Sequence, residues 1–288
     1  MDYSNDLLTK INQSLINMSK GQKQIAQYIL KNYDKAAFIT ASKMGQLVGV
    51  SESTVVRFAY AMGYDGYPEL QKSLQELIRN KLTSVQRIQL SSDIKQNDVL
   101  KSVLKADMHN IRATIETIDE KTFNTVVDWL FTAKSVYILG LRSSTPLAQF
   151  LAYYLNFVLD DVRLVTASAN DVYEQIISIG GNDLLIGISF PRYSTRTVEA
   201  MRYAKSQGAN VVALTDSPIS PVAEIADECL SARSDMASFA DSLVAPLSLI
   251  NALIVAAGMR NTDEITKRFD RLEAIWQMQK VYVKNETE

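Results

Sequence analysis

Two stretches of this chain combine serine and threonine hydroxyls with arginine guanidinium groups. The first is Arg142-Ser143-Ser144-Thr145, and the second is SFPRYSTRT, residues 189–197. Hydroxyls at a helix N-terminus surround phosphate well, and arginine adds bidentate contacts to phosphate or carboxylate. Helix capping alone would explain either stretch by itself. Together they predict one shared anion site, whose candidate residues are Arg142, Ser143, Ser144, Ser189, Arg192, Ser194, Thr195 and Thr197.

Both stretches follow a short apolar run and precede a predicted helix. Strands are predicted at 135–139, 162–165, 183–188 and 210–214, and helices at 147–159, 171–179 and up to Gln207. Strands that alternate with helices indicate a parallel sheet covered on both faces. Ligands of such sheets bind beyond the carboxyl ends of the strands, where both hydroxyl-rich stretches lie.

A second group of polar residues follows a predicted tight turn near the N-terminus. The sequence TASKMGQLVGVSESTVVRF, residues 40–58, predicts two short helices that cross, with the apolar anchors Met44, Leu47, Val48, Val50, Val55 and Phe58. Gly49 suits a turn that needs a positive φ, and Gly45 is small where the helices would cross. Ser51 is the predicted N-cap, whose hydroxyl would accept from a free N–H group of the second helix.

This pattern is typical of a DNA-binding helix-turn-helix, whose second helix enters the major groove. The candidate DNA contacts are Ser51, Glu52, Ser53, Thr54, Arg57 and Lys43, and further cations for phosphates are Lys20, Lys23, Lys72 and Arg79. The alternative is an ordinary helical hairpin. One such bundle reads a half-site, so useful specificity would need at least a dimer.

The flanking sequence completes a two-domain organisation. Amphipathic spacing predicts helices at 6–16, at 20–32 with Ser19 as its cap, and at 68–78, while Tyr64 and Tyr67 should pack on this helical core. We therefore predict an all-α helix-turn-helix bundle at 1–79, a linker at 80–105 that leads into a helix capped by Asn97, and an α/β domain with a parallel sheet at 106–288.

Composition agrees with an ordinary cytoplasmic protein. The chain has 288 residues, of which 47% are hydrophobic, and a net charge of −2, so DNA binding would need a local basic face. Cys229 is the single cysteine, which excludes an internal disulfide and fits a reducing compartment. No signal peptide is expected, and the apolar stretch 243–259 is short for a membrane span and is predicted to be a buried helix.

The order of these domains resembles that of RpiR/MurR-type bacterial transcriptional regulators, in which a helix-turn-helix domain precedes a sugar-isomerase (SIS) domain. The segments that carry the resemblance are Gly21–Leu30, Ser51–Leu74, Tyr137–Ser144, Ala204–Asp227 and Asp241–Ile254. Ser144 and Ser189 match the family's ligand-loop serines. Arg142 stands where many SIS domains have the second glycine of Gly-x-Gly-x-Ser, and the second loop is longer than the usual Ser-x-Ser-Gly-x-Thr.

The resemblance implies a regulator of double-stranded operator DNA whose SIS domain senses a phosphorylated sugar. The added arginines suggest an effector that is acidic, with a carboxylate as well as or instead of a phosphate. Pairing through helices at 241–260 and 262–283 would form a homodimer or tetramer, and no cofactor or metal is expected. The competing interpretation is a sugar-phosphate isomerase or related SIS enzyme, with Glu174, Glu199 or Glu224 as the base. The single histidine, His109, is interpreted as an ordinary helical residue.

Overall fold

The chain folds as two units, residues 1–96 and residues 97–288. The computed structural model describes residues 3–79, 85, 87, 88, 98–167, 170–236 and 240–282. Most of the predicted linker and Asn97, its predicted helix cap, lie outside these ranges. From Val99 onward the linker stretch is helical, so its last residues belong to the first helix of the second unit.

The first unit is helical, as the amphipathic spacing predicts. Its helices are α1 (Tyr3–Ser14), α2 (Lys20–Lys31), α3 (Tyr33–Ala36), α4 (Ala41–Val48), α5 (Glu52–Ala61) and α6 (Tyr67–Arg79). A 3-10 turn, Leu15–Asn17, follows α1, so the predicted helix of residues 6–16 ends early and Ile16 is 85% exposed. The predicted cap of α2 is confirmed, because Ser19 and Gln22 form a reciprocal capping box.

The core of this unit is formed by apolar side chains from all six helices, including Ala36 of α3. Those with no exposed surface include Ile11, Ile25, Ile29, Met44, Val55, Phe58, Leu70 and Leu74. Helix α5 therefore buries one side against its neighbours, through Val55 and Phe58, and leaves its other side to solvent. This packing holds α5 firmly enough to present its polar face to a partner.

Tyr67 connects the start of α6 to the segment that precedes α4. Its ring is 3% exposed, and its hydroxyl donates to the carbonyl oxygens of Ile39 at 2.9 Å and Ala36 at 3.4 Å. Burial, together with the nearby phenol of Tyr28, raises the pKa of Tyr67 to about 12. The predicted packing of Tyr67 on the helical core is confirmed, and Tyr64 is half-buried with its hydroxyl 2.9 Å from that of Ser73.

We expect the stability of the first unit to fall as the pH rises from 10 to 12. Tyr67 ionises near its ordinary pKa of 10 when unfolded but near 12 when folded, so alkali favours the unfolded chain in this window, by up to roughly 2 kcal/mol. Tyr67→Phe should cost about 1 kcal/mol at neutral pH through the lost hydrogen bonds and should remove this pH dependence. Urea unfolding across the window measures both effects. Tyr60→Phe, at a position 58% exposed, is the control and should keep the wild-type slope.

The second unit alternates helices and strands. Its helices are α7 (Val99–Thr117), α8 (Glu120–Thr132), α9 (Thr145–Leu155), α10 (Val172–Gln175), α11 (Thr195–Ser206), α12 (Val244–Arg260) and α13 (Thr262–Gln279). Its strands are β1 (Val136–Gly140), β2 (Val162–Val165), β3 (Leu184–Ile188), β4 (Asn210–Thr215) and β5 (Glu228–Ser231).

The strands form one parallel sheet in the order β2-β1-β3-β4-β5. Alternate side chains of each strand face opposite sides, so Ile138 and Ile186 lie in one core with α8, α9 and α12. Leu139 and Leu185 lie in the other core with α10 and α11. The predicted α/β domain, with helices on both faces of a parallel sheet, is confirmed.

Three elements differ from the prediction. Strand β5 and helix α8 were not predicted. In the case of β5, the sequence Glu228-Cys-Leu-Ser231 is too short and too polar to stand out as an apolar run. The helix predicted at 171–179 is a single turn, α10, which begins at a capping box formed by Asp171 and Glu174. These departures lie at the edge and periphery of the sheet, away from the strands that carry the hydroxyl-rich loops.

The apolar C-terminal stretch forms helix α12. This helix buries Leu249, Ile250 and Leu253 in the core that it shares with α8 and α9 on one face of the sheet. Val244, which belongs to the stretch predicted to be a buried helix, is 40% exposed at the first turn of α12. Among the described residues, no single helix is long and apolar enough to cross a membrane. Helices α12 and α13 meet that test only as a pair, which is bent by 99°.

Candidate anion site and helix-turn-helix

The two hydroxyl-rich loops lie side by side at the carboxyl edge of the sheet. Strands β1 and β3 are parallel neighbours, with Gly140 paired to Ile188, so the loops that follow them leave the sheet at the same level. The chain runs from β1 outward to β2 and then returns to β3 on the other side of β1. This change of direction creates the crevice in which open α/β sheets bind ligands.

The first loop is a tight turn that folds back over the end of β1. Residues 142–144 form one 3-10 turn, and the Thr145 hydroxyl donates to the Gly140 carbonyl oxygen at 3.0 Å. A Cβ atom on Gly140 would lie 2.5 Å from the Ala148 Cβ and 2.8 Å from the Ser144 carbonyl oxygen. Glycine is therefore required for α9 to begin this close to the strand. Ser144 is buried by this arrangement, whereas Arg142 and Ser143 are exposed.

The second loop places three of its hydroxyl residues at the start of α11. Ser189 is 3% exposed, and its hydroxyl oxygen accepts from the Ser194 N–H at 3.4 Å. Ser194 is the N-cap of α11 and accepts from the Thr197 N–H, also at 3.4 Å. Thr195 and Arg192 are exposed. Both hydrogen bonds are long, so these hydroxyls are weakly held and free to accept or donate elsewhere.

Thr197 is the polar residue of this site with no exposed surface at all. Its hydroxyl has no hydrogen-bond partner among the residues that the structure describes. A buried hydroxyl without a partner costs about 1–3 kcal/mol. Native structures rarely leave such a group without a partner, which can be an ordered water, an ion or a ligand.

Both loops contain an arginine in a backbone conformation that favours glycine. Arg142 has a φ of 55° and Arg192 a φ of 31°. A non-glycine residue in this region carries strain of about 1–2 kcal/mol. Many SIS domains have glycine where this chain has Arg142. The positive φ explains that preference, because glycine adopts this left-handed conformation without strain. The Arg142 guanidinium forms no hydrogen bond or ion pair with any residue in the described part of the chain.

A buried carboxylate that is not among the predicted site residues lies beside the second loop. Asp216 directly follows β4 and is 8% exposed. It accepts hydrogen bonds from the Tyr193 hydroxyl at 2.8 Å and from the Thr215 hydroxyl at 3.2 Å. The signal was present in the sequence, because an aspartate at the carboxyl end of a strand lies on the ligand side of a parallel sheet.

In the first unit, α4 and α5 form the predicted helix-turn-helix. Gly49 ends α4 with a φ of 74°, and the Val50 N–H donates to the Gly45 carbonyl oxygen at 2.9 Å. A Cβ atom on Gly45 would lie 2.7 Å from the Val50 carbonyl oxygen, which confirms that the turn packs closely on this glycine. Ser51 takes the N-cap position, but its hydroxyl does not bond to a backbone N–H. It instead lies 2.9 Å from the hydroxyls of both Ser53 and Thr54, so the predicted capping bond is wrong.

Two family models match the sequence. One is described as a helix-turn-helix domain of the rpiR family and matches residues 5–81, and the other is the SIS domain and matches residues 129–256. A protein of Haemophilus influenzae described as an uncharacterized HTH-type transcriptional regulator is 30% identical over 236 residues, which cover 80% of this chain and 81% of the relative. The chain belongs to the RpiR family of transcriptional regulators.

Solved structures share the fold of this RpiR-family chain. The sugar isomerase domain of an RpiR transcription factor from Sphaerobacter thermophilus has a TM-score of 0.59 at 25% identity and covers 62% of this chain and 99% of that one. The NanR protein of Vibrio vulnificus has a TM-score of 0.56 at 21% identity, over 94% of this chain and 98% of that one. The predicted two-domain fold class is confirmed.

Apart from Lys43, which lies on α4, the candidate DNA contacts of this RpiR-family chain lie together at the N-terminal end of α5. Ser51, Glu52 and Ser53 are exposed, and Arg57 is held along the helix by the Ser53 carbonyl oxygen at 3.3 Å and the Thr54 hydroxyl at 3.4 Å. Thr54 is half-buried because its methyl group packs closely on Gly21 of α2. A Cβ atom added at Gly21 would lie only 3.2 Å from that methyl group. The predicted cations Lys20, Lys23, Lys43 and Lys72 are all exposed.

The apolar anchors of the helix pair require one correction. Met44, Val55 and Phe58 are fully buried, but Leu47 is 49% exposed. Helix α4 faces the core through Met44 and Gly45, and Leu47 lies at the edge of that face. Spacing alone could not decide this point, because a helix of two turns accommodates either face.

In this RpiR-family chain, the residues that could act as a catalytic base are either bonded to neighbouring residues or exposed to solvent. Glu174 accepts from the Asp171 N–H at 3.0 Å, Glu199 lies 3.6 Å from Arg202, and Glu224 and His109 are exposed. Burial, together with the carboxylates of Asp216 and Glu228, raises the pKa of the Cys229 thiol to about 11. The thiol therefore stays protonated at neutral pH and is a poor nucleophile.

Proposed function

We propose that this RpiR-family protein binds operator DNA through α5 and that a sugar phosphate, held between the loops after β1 and β3, changes that binding. The observation that carries the sensing half is the buried, unpartnered hydroxyl of Thr197 beside the weakly held Ser189 and Ser194. A phosphate oxygen can be the partner of this hydroxyl if the second loop moves enough to open access to it, since Thr197 has no exposed surface in this structure. The NanR structure, which shares this fold, is a complex with ManNAc-6P.

The phosphate would lie at the N-terminus of α11, where free N–H groups and the helix dipole favour negative charge. Thr197, Ser189 and Ser194 supply hydroxyls from the second loop, and Ser144 supplies one from the first loop. Arg142 and Arg192 supply positive charge at the rim, where the chain as a whole has a net charge of −2. A ligand that contacts both loops closes them against each other and excludes water from the crevice.

The DNA half rests on the exposed polar start of α5. Ser51, Ser53, Thr54 and Arg57 lie where a recognition helix contacts bases, with Glu52 beside them, and Lys43 lies on α4 near the backbone of the duplex. Arg57 makes only long hydrogen bonds, so it can exchange them for contacts with a base or phosphate. Only local charge is needed, because the interface is small.

We propose that two copies pair through the second unit, which would bring two recognition helices to two half-sites. Helix α13 buries no side chain in the described part of a single copy, and it exposes Ile275 at 50% and Met278 at 77%. A pair of copies that covers these side chains removes apolar surface from water. Light scattering of the purified chain would contradict this pairing if it gave the monomer mass.

A thermal-shift screen against phosphorylated sugars and phosphorylated sugar acids tests the sensing half. A compound that binds only the folded chain raises its melting temperature by mass action. The compound with the largest shift is then added to a pull-down of fragmented genomic DNA, which recovers the operator. A change in recovery on adding the compound supports the proposal. Binding to DNA without any melting shift in the screen would contradict the sensing half, and a shift without DNA recovery would favour the SIS enzyme.

Arg142 is expected to read a second acidic group on the effector. Arg142→Ala should weaken binding of 6-phosphogluconate by roughly tenfold, the value of one charge-assisted hydrogen bond, and should affect glucose 6-phosphate less. Arg142→Gly should lose the same affinity but raise the stability of the unit by about 1 kcal/mol, because glycine relieves the φ of 55°. Calorimetry and thermal unfolding measure the two effects.

Arg202→Ala is the matched control, since this arginine lies on α11 with its side chain 64% exposed. It should leave both affinities unchanged. Equal affinity of wild type and Arg142→Ala for 6-phosphogluconate would show that Arg142 does not read an acidic group.

A further inference from the structure

We infer that a series of hydrogen bonds, linked by short backbone segments, couples the second effector loop to helix α7, with Asp216 and Asn110 as its positioning residues. This inference rests on the proposed function, because it explains how a ligand at the loops reaches the helix through which the chain enters the second unit. All of the contacts lie within residues 97–288 and are independent of how two copies pair.

The first step joins the loop to the end of β4. Tyr193 belongs to the loop, five residues beyond Ile188 at the buried end of β3, and its hydroxyl donates to Asp216 at 2.8 Å. Asp216 also accepts from the hydroxyl of Thr215, the last residue of β4, at 3.2 Å. Because Asp216 is 8% exposed, its carboxylate has little water to replace a lost donor. If the loop moves, Asp216 must therefore move with it, or else the loss of the Tyr193 hydrogen bond costs free energy.

The second step joins β4 to the segment that follows β5. The Thr215 carbonyl oxygen accepts from the Ala232 N–H at 2.8 Å, one residue beyond the paired end of β5. Ala232 is 1% exposed and Ser234 has no exposed surface. In the segment 232–235, which has no regular secondary structure, Ala232 and Ser234 are therefore buried while Arg233 and Asp235 are half-buried. The segment is held by its hydrogen bonds to neighbouring elements.

The third step joins this segment to α7 by reciprocal bonds. The Asn110 side chain donates to the Asp235 carbonyl oxygen at 3.1 Å and accepts from the Asp235 N–H at 3.3 Å. One turn further along, the Thr114 hydroxyl accepts from the Arg233 N–H at 2.9 Å and donates to the Asn110 carbonyl oxygen at 2.8 Å. Asn110 has no exposed surface, so its amide cannot exchange these partners for water.

These three steps connect groups far apart in sequence. Asn110 and Asp235 are separated by 125 positions, and Ser242 adds a further bond to α7 through Asp107 at 2.6 Å. Helix α7 is the first element of the second unit, and the chain that precedes it leads to the DNA-reading unit. A ligand that moves Tyr193 therefore acts, through buried and half-buried hydrogen bonds, on the connection between sensing and DNA binding.

The test is hydrogen–deuterium exchange on the full chain without any effector. Tyr193→Phe removes only the first bond of the series. We expect exchange to increase by a factor of about five, the lower end of the range for coupled sites, in peptides that cover 232–236 and 99–117. Tyr203→Phe is the control, since that hydroxyl has no hydrogen-bond partner among the described residues. It should change exchange only within α11.

The reverse substitution is made on α7. Thr114→Val removes the bond from Arg233 and should increase exchange in the loop 189–194, because coupling is reciprocal. Thr117→Val is the matched control on the same helix, since the Thr117 hydroxyl bonds only to carbonyl oxygens of its own helix, at 2.8 Å for Ala113. Exchange that changes only next to each substitution, or equally in the two valine variants, would overturn the inference.

A second arm separates this inference from the proposed function. In the wild type, millimolar inorganic phosphate should slow exchange in the loops 141–145 and 189–194 and also in α7. In the Tyr193→Phe variant, phosphate should still slow exchange in the two loops but should no longer slow it in α7. Slowing in the loops but not in α7 would overturn the coupling and leave the anion site intact. No slowing in the loops would count against the anion site, while the substitutions would still decide the coupling.

Discussion

Replacing Gly140 with alanine should destabilise the second unit by about 3 kcal/mol, which corresponds to a melting temperature roughly 6–12 °C lower. The new methyl group would lie 2.5 Å from the Ala148 Cβ and 2.8 Å from the Ser144 carbonyl oxygen. Neither atom belongs to a flexible side chain, so α9 or the 3-10 turn must move. Because that turn carries Ser144 and Arg142, we expect loss of sugar-phosphate binding as well.

Two further variants show whether the contact is the cause. Ala148→Gly in the Gly140→Ala background removes the closer contact and should recover part of the lost stability, although glycine in α9 itself costs about 1 kcal/mol. Gly258→Ala is the control, because a Cβ there meets no atom within 4 Å and should stabilise α12 by up to about 1 kcal/mol. If Gly140→Ala melted like the wild type, the turn would not pack on the strand as described.

Replacing Gly45 with alanine should lower DNA affinity by at least about tenfold. The methyl group would lie 2.7 Å from the Val50 carbonyl oxygen and 3.4 Å from the Glu52 N atom. Alanine has a better helix propensity than glycine, which stabilises α4 by up to about 1 kcal/mol. The close contacts of the new methyl group cost about 1–3 kcal/mol, so we expect a modest net loss of stability. Relief of the contact pushes the turn away from α4 and reorients α5, and one lost base contact of about 1–3 kcal/mol gives the tenfold effect.

Gly49→Ala separates this effect from a general loss of stability. Gly49 has a φ of 74°, and a Cβ there meets no atom within 4 Å. Alanine at this position should cost about 1 kcal/mol of stability through strain but leave α5 in place, so DNA affinity should be nearly unchanged. Binding of both variants to the recovered operator is compared by fluorescence anisotropy at one salt concentration. Equal affinity of the two variants would show that Gly45 does not set the position of α5.

Local patterns in the sequence were sufficient for much of the fold. The four predicted strands are all present, and β2 spans residues 162–165 as predicted. Gly49 ends α4 in the left-handed conformation and Ser19 caps α2, because a cap depends on a residue and its immediate neighbours. The hydroxyl-rich loops could be located for the same reason, since each follows an apolar run and precedes a helix.

Other features depend on which elements become neighbours in space. Ser51 bonds to adjacent hydroxyls rather than to the backbone, and Leu47 lies outside the core face, which spacing could not decide. Thr197 was one of several candidate hydroxyls, and its complete burial follows from the packing of α11 on the sheet. Arg142 stood out as a replaced glycine, but the positive φ that makes glycine favourable there is a property of the folded turn.

The sequence by itself determined the two-domain organisation, the strand and helix types and the position of the two hydroxyl-rich loops, because these follow from periodicity and residue type over short stretches. Only the tertiary structure decided that β1 and β3 are neighbours, which brings the two loops to one crevice. It also decided the contacts of Tyr193 with Asp216 and of Asn110 with Asp235. These bonds join residues 23 and 125 positions apart, and no local pattern records a partner at that distance.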